Sequence, residues 1–115
     1  MNEHQEQVAL LKWLKVFHPK AYSLTYATPN AGKRTPRQGA YLKAEGLRAG
    51  VPDLCIAYPC GEYHGLYIEY KTLKGKASLV QVEWLDNLSE AGYCAVLCKG
   101  LDAAIETITA YLDQS

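Results

Sequence analysis

The stretch VPDLCIAYPCGEYHGLYIEYK, residues 51–71, contains two short apolar runs on either side of a turn-rich centre. Runs of this length with alternating apolar residues are typical of strands, and Gly and Pro between them are typical of a turn. We therefore predict strands at 53–58 and 66–71, paired as an antiparallel hairpin. Charged residues inside such strands cost stability unless they have a use.

Side chains alternate between the two faces of a sheet, so the predicted pairing assigns each charge to a face. With the loop centred near Glu62, Asp53 lies opposite Lys71 and Cys55 lies opposite Glu69. The even-numbered residues of both strands are apolar and predict a buried face. The odd-numbered face carries two carboxylates and an amine, and we expect it to face solvent, with directly opposed Cβ atoms about 5 Å apart.

Two neighbouring carboxylates repel each other, so they either raise the pKa of one of them or bind a cation. Carboxylate oxygens suit a hard ion such as Mg²⁺, and a nearby lysine can orient a water molecule. These are the components that metal-assisted phosphodiester hydrolysis requires. The pattern is equally compatible with a surface ion pair between Asp53 and Lys71, which would contribute little to stability.

An amphipathic helix is predicted at residues 3–17, where Leu10, Trp13 and Phe17 recur at helical spacing. Glu6 lies one turn earlier on the same stripe, within about 60° around the helix axis. Glu6 can therefore bring a carboxylate to the end of an inward-facing stripe. The alternative is a first-turn acid that is favoured only by the helix dipole.

The remaining segments continue an alternation of helices and strands. We expect a strand at 22–27, a helix at 35–47, a helix at 78–91, a strand at 93–99 and a final helix at 102–112. Ala40, Ala44 and Leu47 are expected to form a packing stripe, and Ser78 with Gln81 matches a capping box. The last strand is apolar enough to be central. This order predicts an α/β fold with a mixed central sheet flanked by helices.

The length of 115 residues fits a single domain, 1–115. The net charge of zero conceals an asymmetry, since residues 30–50 contain five basic side chains and one acid, whereas residues 78–115 contain one lysine and six acids. The basic segment predicts a local phosphate-binding patch. No membrane-length apolar run, secretory signal or zinc-type cysteine spacing is found in the sequence, so we expect a cytoplasmic protein with reduced thiols.

Pro52-Asp53 followed by Glu69-Tyr70-Lys71 resembles the signature of the PD-(D/E)xK nuclease superfamily. The segments that resemble the virus-type replication-repair nuclease (VRR-NUC) domain are PNAGKR (29–34), GLRAGVPDLCI (46–56), GLYIEYKTLKGKASLVQVEWLDNL (65–88) and AGYCAVLC (91–98). The resemblance covers nearly the whole chain and is to the stand-alone phage or bacterial type. It implies a restriction-endonuclease-like core.

The resemblance also implies a role for each matching residue. The matching catalytic and metal-binding positions are Asp53, Glu69, Lys71, Gln81 and, from the first helix, Glu6. Tyr70 replaces the usual aliphatic residue between Glu69 and Lys71, and its backbone carbonyl can still bind a metal ion. The DNA-binding positions, from the resemblance and from the basic patch, are Asn30, Lys33, Arg34, Arg37, Lys74 and Lys76.

The implied activity is that of a structure-selective DNA endonuclease that uses Mg²⁺, for which Mn²⁺ can substitute. The sequence contains no recognition helix or zinc module, so we expect selection of branched DNA by shape, for example a four-way (Holliday) junction. Cutting such a junction symmetrically needs two active sites, which predicts a two-fold homodimer. The alternatives are a monomeric nicking domain, a non-catalytic DNA-binding module and a sequence-specific, restriction-like endonuclease.

Overall fold

The computed structural model describes residues 1–29 and 35–114, which form five helices around one four-stranded sheet. The elements in chain order are α1 (Glu3–Phe17), α2 (Pro19–Tyr22), β1 (Thr25–Ala27), α3 (Pro36–Ala44), β2 (Leu54–Ile56), β3 (Leu66–Lys71), α4 (Leu79–Glu90), β4 (Cys94–Lys99) and α5 (Leu101–Leu112). The predicted α/β fold is confirmed. None of the helices in the described ranges is long and apolar enough to cross a bilayer.

The sheet has the strand order β1-β2-β3-β4 and is mixed. The pairs β1–β2 and β2–β3 are antiparallel, whereas β3 and β4 are parallel and are joined by the crossover helix α4. The strand predicted at 93–99 therefore lies at the edge of the sheet, and its predicted central position is wrong. Helices α4 and α5 pack against β4, so this edge strand has the apolar composition expected of a central one.

The β2–β3 hairpin has a register two residues away from the prediction. Leu54 pairs with Ile68, so the pairing is centred on residue 61 and not on residue 62. Gly61 (φ 58°) lies in the tight turn that the Cys60–Tyr63 bridge closes. A shift of two residues leaves every side chain on its predicted face. Continued by one residue, the observed register places Asp53 directly opposite Glu69, so the two carboxylates face each other.

The even-numbered face of the hairpin is buried beneath α1 and α5, as predicted. The main core residues are Leu10, Leu14, Leu54, Ile56, Leu66, Ile68, Tyr70, Ala104, Ile108 and Tyr111. The prediction that Phe17 points inward is wrong, since its side chain is 66% exposed. Phe17 is the last residue of α1 and packs against Trp13 at the surface, with ring centroids 6.1 Å apart.

Two short segments also differ from the prediction. The residues predicted as a strand at 22–27 divide between the end of α2 and the three-residue strand β1, because Pro19 at the first helical position favours a helical turn there. Helix α3 ends at Ala44, and none of its nine residues is buried. Ala40 and Ala44 are therefore exposed and do not form a packing stripe.

Helix α4 begins where the capping-box pattern predicts. The Gln81 N–H donates to Ser78 Oγ (3.2 Å), and the Ser78 N–H donates to Gln81 Oε1 (2.8 Å). These bonds satisfy N–H groups that have no partner within the first turn of the helix. The box also fixes the position of Gln81 at the start of α4.

Replacing Ser78 with alanine is expected to lower the free energy of unfolding by about 1 kcal/mol, because the cap is lost. Thermal unfolding followed by circular dichroism should show a Tm that is lower by roughly 4 °C. Ser89→Ala, an exposed substitution near the end of the same helix, is the matched control and should leave the Tm unchanged or higher. Equal losses in the two variants would contradict the capping role.

Candidate active site

Asp53 is held by hydrogen bonds from both sides. The Tyr70 N–H of β3 donates to Asp53 Oδ2 (2.8 Å), and the Thr28 N–H, just after β1, donates to the Asp53 carbonyl (2.9 Å). The Thr28 hydroxyl donates to the Pro52 carbonyl (2.8 Å). The Asp53 carboxylate therefore binds the backbone of β3 rather than the side chain of Lys71, so the ion-pair interpretation of the sequence is not needed to explain its position.

Pro52 explains why the ladder between β2 and β3 stops at this point. The register continued by two residues places Pro52 opposite Tyr70. The N–H and C=O of one residue in an antiparallel strand point to the same neighbour, so the Tyr70 carbonyl points to the side of Asp53. A proline has no N–H to donate to that carbonyl. The Tyr70 N–H donates to the Asp53 side chain. The Tyr70 carbonyl oxygen receives no backbone hydrogen bond from Pro52.

Glu69 is the most unusual charged residue of the sheet. Its side chain is only 1% exposed, and neither of its carboxylate oxygens has a hydrogen-bond partner among residues 1–29 and 35–114. The expectation that this part of the odd-numbered face is open to solvent is therefore wrong. Leu97 of β4 lies beside Glu69 in the parallel ladder, and α4 packs against both strands.

The environment of Glu69 shifts its titration strongly. Burial first, and then the closeness and negative charge of Asp53, raise the pKa of the Glu69 carboxyl from 4.5 to about 9. The positive charge of Lys71 opposes this shift. Without a cation, the Glu69 carboxyl therefore keeps its own proton at neutral pH.

Glu6 lies at a different position from this acidic pair. The Tyr70 hydroxyl donates to Glu6 Oε1 (2.8 Å), and the Tyr70 ring belongs to the core face of the sheet. Glu6 lines a surface groove together with Lys74 and Lys99. Burial and the bond to Glu6 raise the pKa of the Tyr70 phenol, which therefore stays a donor. The observed contact of Glu6 is thus with a core tyrosine, and its metal-binding role remains a prediction.

Glu3 is the acid of α1 that faces Asp53, and sequence reasoning did not select it. Glu3 and His4 line a small pocket beside Asp53, and the charge of Glu3 contributes to the raised pKa of Glu69. Glu3 could have been selected from its spacing to Glu6, because residues three apart lie on the same side of a helix.

A groove of about 820 Å³ separates α3 from the sheet. One wall is a face of α3 with small side chains, which includes Gly39 and Ala40, and Lys43 lies on the same face. Asp53 and Gln81 also line this groove. The capping role of Gln81 is confirmed, and its role in the active site remains a prediction.

Of the six basic or polar residues selected from the sequence as DNA-binding, three are exposed and three lie outside the described ranges. Arg37 is exposed on α3, and Lys74 and Lys76 are exposed in the loop between β3 and α4. Asn30, Lys33 and Arg34 lie outside the described residues, so the structure says nothing of their contacts.

The donor set fits a hard divalent cation. Both oxygens of buried Glu69 are free of hydrogen bonds from the described residues, Asp53 lies opposite, and the Tyr70 carbonyl points to the same side. Carboxylate and carbonyl oxygens are the ligands that Mg²⁺ prefers. Among the residues described, no cluster of three His, Cys, Asp or Glu side chains is close enough to hold an ion. Water or substrate oxygens would therefore complete the coordination.

Comparison with known proteins agrees with these features. A family model described as the VRR-NUC domain matches residues 1–102, which include both halves of the acidic pair. A solved structure described as a VRR_NUC domain protein is similar over 100% of this chain and 91% of that chain, with 32% sequence identity and a TM-score of 0.89. Comparison with curated proteins gives no match.

The raised pKa of Glu69 predicts that the metal-free protein loses stability as the pH rises from about 4.5 to about 9. In this interval the unfolded chain releases the proton and the folded chain keeps it, so the free energy of unfolding falls with pH. Glu69→Gln removes this titration. With a chelator present, its Tm at pH 8 should exceed that of the wild type by roughly 8 °C, corresponding to about 2 kcal/mol, and the gap should be small at pH 5.

Glu106→Gln, at an exposed position of α5, is the matched control and should follow the wild type at every pH. Parallel Tm curves of the wild type and Glu69→Gln from pH 5 to pH 8 would refute the raised pKa.

Proposed function

The chain belongs to the VRR-NUC family, and on that premise we propose that it is a Mg²⁺-dependent DNA endonuclease that cleaves branched DNA. The observation that carries this proposal is the buried Glu69 carboxylate, which has no hydrogen-bond partner among the described residues and faces Asp53. A polar group buried in this way costs free energy unless something binds it. A divalent cation held between Glu69 and Asp53 would satisfy both oxygens and offset the repulsion between the two acids.

The chemistry follows from the groups around the acidic pair. Asp53, Glu69 and the Tyr70 carbonyl would hold the ion, and the predicted role of Glu6 would require its side chain to leave the Tyr70 hydroxyl. A bound Mg²⁺ supplies positive charge at the scissile phosphate and lowers the pKa of an attacking water. Lys71 projects from the same face of β3 as Glu69, so its ammonium group orients the water and stabilises negative charge on the phosphate.

DNA would reach these groups through the groove between α3 and the sheet. Lys43 lies in its wall, and the Arg48 guanidinium is held against the Trp84 ring, 5.1 Å from the ring centre, at the same end of α4 as Gln81. Arg37 of α3 extends this positive charge. Contacts of this kind bind the phosphate backbone without reading its sequence, which supports selection by the shape of the DNA.

A junction resolvase must cut two strands, and one copy of this chain contributes one acidic pair. We therefore retain the homodimer as part of the proposal. Light scattering measures the mass of the protein in solution, and we expect the mass of a dimer.

Labelled duplex, flap, fork and four-way DNAs incubated with Mg²⁺ or Mn²⁺ test this function. We expect cleavage of the branched substrates and none in chelator. Asp53→Asn and Glu69→Gln should each reduce the rate by at least about 100-fold, because each removes a charged ligand at the scissile phosphate. Glu106→Gln serves again as the control and should cleave like the wild type.

Cleavage at the wild-type rate by Glu69→Gln, or in chelator, would refute the proposed mechanism. Binding of branched DNA without any cleavage would identify a binding module instead. Discrete plasmid fragments together with an intact four-way DNA would indicate a sequence-specific enzyme.

Gly39 gives a direct test of the DNA path. A Cβ added at Gly39 has no neighbour within 4 Å, and glycine is a poor helix former. Gly39→Trp should therefore fill the groove without unfolding α3 and should reduce cleavage by at least about 10-fold, as expected when a substrate is misplaced by about 1 Å or more. Gly39→Ala adds only a methyl group and should remain active. A fully active Gly39→Trp variant with an unchanged Tm would exclude this path.

A further inference from the structure

A row of aromatic side chains crosses the sheet beside the acidic pair. Tyr26 pairs with Cys55 in the β1–β2 ladder, and Cys55 pairs with Tyr67 in the β2–β3 ladder. Directly paired residues project from the same face, so these three side chains lie side by side. Asp53 and Glu69 lie two residues further along β2 and β3 on this face, which is a distance of about 6.8 Å.

The two tyrosine rings form a supported surface. The Cys55 side chain is only 3% exposed, although it projects from a face that α1 and α5 do not cover, whereas Tyr26 is 53% exposed. The rings on either side therefore cover the thiol and leave ring surface accessible. Tyr93 meets Tyr67 in an edge-to-face contact with centroids 5.2 Å apart. This contact limits the rotation of Tyr67.

The side chains along this face occur in an order that could bind first a base and then the phosphates of one DNA strand. The aromatic row comes first, the acidic pair follows, and Lys71 with Lys99, which pair in the β3–β4 ladder, comes next. An aromatic ring accepts a base by stacking, whereas a cation or a lysine accepts phosphate. One strand of a duplex rises about 3.4 Å per nucleotide, so a spacing of about 6.8 Å spans two nucleotides at most.

An unpaired base suits this surface better than a base pair does. A base inside a duplex is already stacked on both of its faces, whereas an unpaired base gains stacking when it lies on a tyrosine ring. Tyrosine rings carry no charge at neutral pH, so neither ring repels a nearby phosphate. A flat, neutral ring next to a phosphate site is the chemistry that sequence-independent binding of single strands uses.

We propose that Tyr26 and Tyr67 form a stacking platform for an unpaired base within two nucleotides of the scissile phosphate. The platform makes the site selective for DNA that is single-stranded on that side of the cut. This inference rests on the proposed nuclease function, because the acidic pair defines where the phosphate lies.

A binding measurement tests the platform separately from cleavage. Full-length Glu69→Gln protein lacks the catalytic carboxylate, and in this background Tyr26→Leu removes the ring whereas Tyr26→Phe retains it. The probes are a flap DNA with 2-aminopurine as its first unpaired base and the same sequence as a full duplex. Tyr26→Leu should weaken flap binding by about 5- to 100-fold, which corresponds to the loss of one stacked base. It should also reduce the quenching of 2-aminopurine fluorescence.

Tyr26→Phe should bind both DNAs within about two-fold of the Glu69→Gln background, because the ring does the stacking. Tyr63→Leu is the control, since Tyr63 is a partly exposed tyrosine in the turn at the other end of the hairpin from Asp53. Duplex binding should be the same in all of these proteins.

The proposal is overturned if Tyr26→Leu keeps its flap affinity, if it loses flap and duplex affinity equally, or if Tyr26→Phe behaves like Tyr26→Leu. A change in oligomeric mass with unchanged flap affinity would identify this face as a contact between copies of the chain. Failure of the proposed nuclease function has a different signature, namely no cleavage by the wild type whatever the Tyr26 variants bind.

Discussion

The burial of one carboxylate is the constraint around which the site is organised. Glu69 lies in an inner strand with no hydrogen-bond partner among the described residues, and a polar group left in this state destabilises a fold by roughly 1–3 kcal/mol. The apolar face of the same hairpin, packed beneath α1 and α5, offsets this cost. The sheet therefore has one face that stabilises the fold and one that carries a destabilising buried carboxyl. Buried groups with a perturbed pKa are typical of positions that bind a ligand or take part in catalysis.

The faces of the hairpin could be predicted because alternation is insensitive to small errors in pairing. The predicted register was wrong by two residues, yet Asp53 and Glu69 stayed together on one side, whereas a one-residue error would have placed them on opposite faces of the sheet. The same alternation predicted the buried apolar face. The register also depends on where the chain turns, which is at Gly61 in the tight turn between the strands. The spacing of the apolar residues does not indicate the position of that turn.

Properties of the hairpin that depend on a helix or strand packed against it could not be predicted from the sequence. Whether Glu69 is buried depends on α4 and on its neighbour in β4, and neither is encoded in the hairpin itself. The exposed surface of α3 is a similar case. The spacing of Ala40, Ala44 and Leu47 predicts a packing stripe when read alone, but here Ala40 and Leu47 border an open groove. Within the candidate site, the acidic pair and Lys71 were accessible to sequence reasoning, whereas Glu3 was not, because its role depends on how α1 meets β2.

Pro52 has a consequence for how this fold can vary. Any ordinary amino acid at this position would carry an amide hydrogen, and the hairpin would then gain one more rung that ends on the Tyr70 carbonyl. The protein would become slightly more regular, and an oxygen that now points into the site would be consumed by the backbone. Pro52 thus ends the pairing of β2 with β3, and the two strands separate beside Asp53 and Glu69.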